Sequence, residues 1–183
     1  FTIELRLMPV SIKEGGVIFS NAGYVSGIKT GIELAMKGGR VTARFHRVFK
    51  DISGKRIDVF LNRGRRLQEG KWYHYSMSFD RISGKLCSVL DGVEQETVYM
   101  TEEGEPFVNV YSPSFSCSDL PVVVIGRNYY GAIDELRISY RHIEDLQKET
   151  DLAVKPHRPA TITGRIPVNT EGVITSPVFE FPL

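Results

Sequence analysis

Apolar and polar residues alternate at period two through most of this chain, the pattern of strands with one face buried. In Phe1 to Met8, Ile3, Leu5 and Leu7 alternate with Thr2, Glu4 and Arg6. Glu14-Gly15-Gly16 turns into Val17-Ile18-Phe19, and Gly31 to Met36 reads as a strand ended by Gly38-Gly39. Val41, Ala43 and Phe45 then point one way, while Thr42, Arg44 and His46 point the other. Asp51 to Lys55 is a hairpin turn into Ile57 to Leu61. The run Lys71 to Asp80 continues the alternation. Arg81-Ile82-Ser83-Gly84 turns it into Lys85 to Leu90, and Asp91-Gly92 is a second strong turn. Short strands with such frequent turns predict an all-β sandwich.

The pattern changes near the C-terminus. Only Ile143 to Val154 has helical spacing, and Lys155 to Pro159 ends it, because proline cannot continue a helix. Residues 146–171 are expected to be a short helical turn and a proline-containing linker. Residues 172–183 hold one more strand, with Pro177 suited to an edge. This strand has two readings: an edge strand of the sandwich or the start of a following domain. Phe1 to Leu5 already reads as a strand in progress, so the chain is expected to be a piece of a larger protein.

Composition narrows the function only a little. The 183 residues carry a net charge of +1, so overall charge predicts no partner. No apolar run approaches the 18 residues of a membrane helix. The two cysteines, Cys87 and Cys117, fit either a disulfide or one core thiol and one loop thiol. Charge is segregated, however. From Lys37 to Lys71 there are eleven cations and three acids, a local excess of +8. From Asp91 to Leu120 there are seven acids and no Lys or Arg. Arg40, Arg44, Arg63 and Arg65 are therefore candidates for an anion-binding patch. The competing reading is a solvated strand pair, or basic and acidic stretches facing each other. A basic stretch without an aromatic stacking platform does not favour nucleic acid.

Five pieces occur in order: Trp72-Tyr73-His74, Phe79-Asp80, Gly84, Asp91-Gly92, and Ile125-Gly126 followed by Gly131-Ala132-Ile133-Asp134-Glu135-Leu136. With them, residues 1–145 resemble the concanavalin-A-like, laminin-G-like jelly-roll family. The resemblance implies two packed antiparallel sheets. It implies that Trp72 is core, with His74 beside it as a buried histidine, and that Tyr130 packs inward. It makes Asp80, Asn128 and Asp134, at strand ends, candidate Ca2+ ligands, because many relatives bind calcium with loop carboxylates and carbonyls. Some relatives bind sulfated or uronic glycans.

Catalysis is not expected. Glucanase relatives carry acids at i, i+2 and i+5 on one strand. Here the pairs Glu94/Glu96, Glu103/Glu105 and Glu149/Asp151 are followed at i+5 by Tyr99, Val108 and Val154. Neither a nucleophile elbow, nor a zinc-protease motif, nor a phosphate loop is present. Sugar sites pair an aromatic face with Asn or Arg hydrogen bonds. That chemistry selects Tyr129, Asn128, Arg127 and Tyr111. The reading is a non-catalytic, carbohydrate-binding recognition module of a larger extracellular, periplasmic or cell-surface protein. The alternatives are a structural or protein-interaction domain, or an accessory domain of a glycoside hydrolase. The expected partner is carbohydrate or another protein, without membrane insertion.

Overall fold

A computed structural model describes residues 1–13, 15–115 and 123–139, with the backbone of 173–174. Thirteen strands occur in it: β1 (Thr2–Pro9), β2 (Gly16–Ser20), β3 (Gly23–Val25), β4 (Ile28–Lys37), β5 (Arg40–Lys50), β6 (Arg56–Leu61), β7 (Tyr73–Phe79), β8 (Lys85–Leu90), β9 (Val93–Tyr99), β10 (Ser112–Pro113), β11 (Val123–Ile125), β12 (Gly131–Ser139) and β13 (Val173–Ile174). They form a five-stranded sheet, β12-β1-β7-β8-β9, and an eight-stranded sheet along β10-β5-β4-β2-β11-β13, with β3 on β4 and β6 on β5. The pairings are antiparallel. Two such sheets packed face to face make the jelly-roll sandwich.

The period-two sets meet between the sheets. Ile3, Leu5 and Leu7 of β1 face inward beside Tyr73, Tyr75, Met77 and Phe79 of β7. The eight-stranded sheet contributes Ile32, Leu34 and Met36 from β4 and Val41, Ala43 and Phe45 from β5. Aromatic rings close the gap at one end: Phe49 lies 5.0 Å from Phe79, and Phe1 lies 5.9 Å from Phe79 and 6.4 Å from Phe45. Such pairs add to what area burial alone contributes.

One inward set differs from the resemblance. Trp72 precedes β7 and is 46% exposed, and His74 is exposed on the outer face, 3.6 Å from Glu4. The buried residues of that stretch are one position over. A one-residue change of parity exchanges the two faces of a strand. Tyr73, Tyr75, Met77 and Phe79 share a parity that is wholly apolar, whereas Trp72 shares its own with His74, Ser76 and Ser78. The larger apolar set takes the core.

The expected helical turn and linker lie outside the described residues, as does Cys117. Cys87 is buried in β8, 3.4 Å from Ser78 Oγ. Val173 and Ile174 pair with Val124 and Val123 of β11, and the rest of 172–183 lies outside the described residues.

Candidate functional site

β1 crosses the sandwich from one end to the other. Its eight residues span about 25 Å at roughly 3.3 Å per residue. At the start, Phe1 and Phe79 exchange backbone hydrogen bonds, and Phe115 packs 5.7 Å from the Phe1 ring. At the finish, the Tyr130 carbonyl accepts from the amides of Val10 and Ser11, at 2.8 and 3.3 Å. These two ends sort the candidate residues.

The loop Gly126 to Tyr130 lies at the Pro9 end, held from both sides. Its Arg127 carbonyl accepts from Val17 N at 2.8 Å, and Gly126 N donates to Ile18 O at 3.1 Å. A side chain on Gly16 would meet the Asn128 carbonyl, so glycine is required where β2 begins. Asn128 itself takes φ of 54°, a left-handed conformation that Asn tolerates better than most residues. The result is a rigid loop presenting Arg127 and Asn128 to solvent.

The two tyrosines of this loop reverse the expected arrangement. Tyr129 is 6% exposed and packs with the core, while Tyr130 is 42% exposed. The cause is Gly131, whose missing side chain leaves room for the Tyr129 ring: a Cβ there would stand 2.8 Å from Cε1 and Cζ of that ring. The Tyr129 hydroxyl is buried and has no hydrogen-bond partner among the described residues, and burial pushes its pKa up. Tyr130 therefore offers the exposed ring of the pair.

Tyr111 is not brought to this loop. Its amide bonds the Met100 carbonyl, and the following Ser112 and Pro113 pair with Lys50 and Phe49, at the Phe1 end. The four expected ligand residues thus divide as Arg127, Asn128 and buried Tyr129 at one end and Tyr111 at the other.

The residue that sequence reasoning placed elsewhere is Trp72. The chain before β7 turns at Gly70, whose amide donates to Pro9 O at 2.7 Å. This sets Trp72 beside the end of β1, on the opposite side from Tyr130. Since β1 lies between β12 and β7, the backbones of the two aromatics stand about 10 Å apart, two strand spacings. Val10, 56% exposed, lies between them. Beneath, the buried Tyr73 hydroxyl accepts from Gln68 N at 2.9 Å, and Lys71 lies 5.5 Å from its ring.

The four arginines lie on two neighbouring segments, β5 and the chain after β6, which runs alongside it. Arg40 and Arg44 share one face of β5, about 13 Å apart along the strand. Arg44 stacks on Phe60 at 4.6 Å. Arg63 and Arg65 lie on the segment after β6, which is hooked to β9. Glu96 accepts from the amides of Asn62 and Arg63 at 2.6 and 2.7 Å, and Gln95 accepts from Arg65 N at 2.9 Å. Arg65 also pairs with Asp91 at 2.5 Å, and Arg63 with Glu96 at 3.8 Å. The basic and acidic stretches face each other here, which uses part of the segregated charge internally.

The candidate calcium ligands are likewise dispersed. Asp80 is at the Phe1 end, where its carboxylate accepts from Ile82 N and Ser83 N at 3.1 and 3.0 Å and organises the β7–β8 turn. Asn128 is at the other end. Asp134 is within β12 beside a bulge, its Oδ1 accepting from Glu135 N at 2.9 Å. Residues a strand length apart cannot share one cation, so these three do not fit a common site.

The class of the molecule follows from its two sheets and their strand order: a concanavalin-A-like jelly roll. Solved structures share this architecture. Domains LG4-5 of the mouse laminin alpha1 chain match at 17% identity and TM-score 0.50, over 77% of this chain and 36% of that one. A native heptameric SAP-like pentraxin from Limulus polyphemus matches at 17% identity and TM-score 0.50, over 94% of this chain and 80% of that one. A "putative carbohydrate binding protein" from Bacteroides ovatus ATCC 8483 matches at 15% identity and TM-score 0.51, over 87% and 43%. This chain thus spans less than half of the laminin and Bacteroides structures. No protein-family model and no curated protein matches the sequence. Among the described residues, no helix is long and apolar enough to cross a membrane.

Proposed function

We propose that this chain is a non-catalytic recognition module that binds carbohydrate at the Pro9 end of the sandwich, as one domain of a larger extracellular or cell-envelope protein. The observation that carries the reading is the exposure of Trp72 and Tyr130 on either side of the end of β1, beside solvent-facing Arg127 and Asn128. Aromatic faces stack on the apolar faces of sugar rings, and Arg and Asn supply hydrogen bonds to hydroxyls. The separation of the two rings leaves room for a short oligosaccharide rather than one ring. The rim is fixed by backbone hydrogen bonds, so little ordering is required on binding. The surrounding cations favour an acidic glycan over a neutral one. The "putative carbohydrate binding protein" among the structural neighbours is consistent with this chemistry, although at 15% identity it argues for fold alone.

A glycan array of neutral and acidic oligosaccharides tests the proposal, read at low and high salt. Saturable binding is expected, weakened at least about tenfold in Trp72→Ala and in Tyr130→Ala, a loss of about 1.4 kcal/mol each. Binding unchanged in both variants, or a blank array, would refute it.

A further inference from the structure

Residues 101–110 form a loop closed at its base. Thr101 bridges to Val110, Thr101 Oγ1 donates to Glu105 O at 2.9 Å, and Phe107 N donates to Ser83 O at 3.1 Å. On this tied frame sits Phe107, 70% exposed and with φ of 70°. A bulky side chain in the left-handed region is strained, and its exposure forgoes the burial that would offset the strain. Ile82, on the turn whose Ser83 holds the loop, is 73% exposed, and Val108 is exposed as well. Glu102, Glu103 and Glu105 surround this apolar tip, and none of them ion-pairs among the described residues. Arg81 and Lys55 are the cations of the neighbouring turns.

The opposite end has the complementary character. Lys13, Lys37, Arg40, Arg66 and Arg127 lie on or beside its loops, with no ion pair among the described residues. Between them are the exposed apolar groups of Trp72, Val10 and Tyr130.

From this complementarity we infer that two copies of this chain associate end to end, the Phe107 tip of one seated on the Trp72–Tyr130 rim of the next. The two surfaces differ, so the contact is heterologous and repeats along an open chain instead of closing as a two-fold dimer. A contact of two loop tips is small, so association is weak and grows with concentration. Its electrostatic part is screened by salt. The rim is the one proposed to take sugar, so tip and sugar compete for it; sedimentation without glycan reads the association alone, and Phe107→Ser, remote from the rim, removes association while leaving the sugar site intact.

Sedimentation of the 183-residue chain over about a hundredfold range of concentration, at low and at high salt, tests it. The average mass is expected to rise without a plateau at the dimer, and to rise less at high salt. Phe107→Ser and Trp72→Ser are each expected to remain monomeric. Mixed together, they retain one intact pair of ends and form a 1:1 complex that does not grow. Glu103→Lys/Glu105→Lys replaces Phe107→Ser if that variant fails to fold, as judged by circular dichroism. A wild type monomeric at every concentration overturns the inference and leaves the tip to another occupant. So does undiminished association in either single variant, or a mixture that stays monomeric.

Discussion

Removing one oxygen atom, with Tyr129→Phe, separates the two roles that adjacent tyrosines take in the Gly126 to Gly131 loop. The Tyr129 ring is buried against Gly131, and its hydroxyl is buried without a hydrogen-bond partner among the described residues. A buried, unsatisfied hydroxyl costs about 1–3 kcal/mol of desolvation. Phenylalanine keeps the ring and its contacts and removes that cost. Tyr129→Phe is therefore expected to stabilise the fold by about 1 kcal/mol, taking the low end of that range because the small cavity left by the oxygen offsets part of the gain. For a chain of this size that raises Tm by about 2–4 °C. Urea and thermal denaturation followed by circular dichroism give both numbers. Tyr130→Phe is the control, because its ring is exposed and its stability change should stay within about 0.5 kcal/mol. A loss of about 1 kcal/mol in Tyr129→Phe would refute the reasoning, since it would mean that the hydroxyl is hydrogen-bonded in the native protein. Spectrophotometric titration gives an independent check: burial raises both Tyr75 and Tyr129, so two tyrosines should ionise above the ordinary value, and Tyr129→Phe should remove one of them.

Two further outcomes follow from single positions. Gly131→Ala is expected to destabilise by about 1–3 kcal/mol in urea denaturation, because its Cβ would meet the Met8 carbonyl and the Tyr129 ring, and backbone must shift to admit it. A neutral Gly131→Ala would contradict the packing of this loop. His46, on the outer face of β5, has its pKa lowered first by burial and next by Lys29, with Arg44 acting the same way and Glu33 and Asp58 opposing them. The unfolded state then binds its proton more tightly than the folded state does. The stability that His46 leaves intact is complete above pH 6.5, the unfolded value, and falls as pH drops below it. His46→Gln should flatten that decline between pH 7 and 5 in urea midpoints, and an unchanged slope would count against it.

Sequence reasoning identified the fold because the alternation of Ile3, Leu5 and Leu7, or of Val41, Ala43 and Phe45, is imposed by pleat geometry whichever strands lie alongside. The turns Asp91-Gly92 and Arg81 to Gly84 were legible for the same local reason: glycine supplies the positive φ of 75° at Gly92 and 78° at Gly84. The charge alternation of Arg44 and His46 on the outer face was also legible. The Trp72 and Tyr129–Tyr130 orientations were not. Each turns on parity at a strand boundary, where one residue of difference exchanges inside for outside. For Trp72, the uninterrupted apolar parity of Tyr73, Tyr75, Met77 and Phe79 could have given the answer.

The sequence by itself determined that this is an all-β sandwich, because burial of alternate residues is a property of each segment alone. Only the tertiary structure decided which residues meet. Tyr111 and Asn128 are close in number but separated by the length of β1, whereas Trp72 and Tyr130 are distant in number and stand at one end. Arg65 and Asp91 met because the chain after β6 crosses the sheet edge to reach β9. A binding site on a sandwich is assembled from loops that the strand order gathers at one end. Strand order is set by long-range pairing and carries no periodicity along the chain.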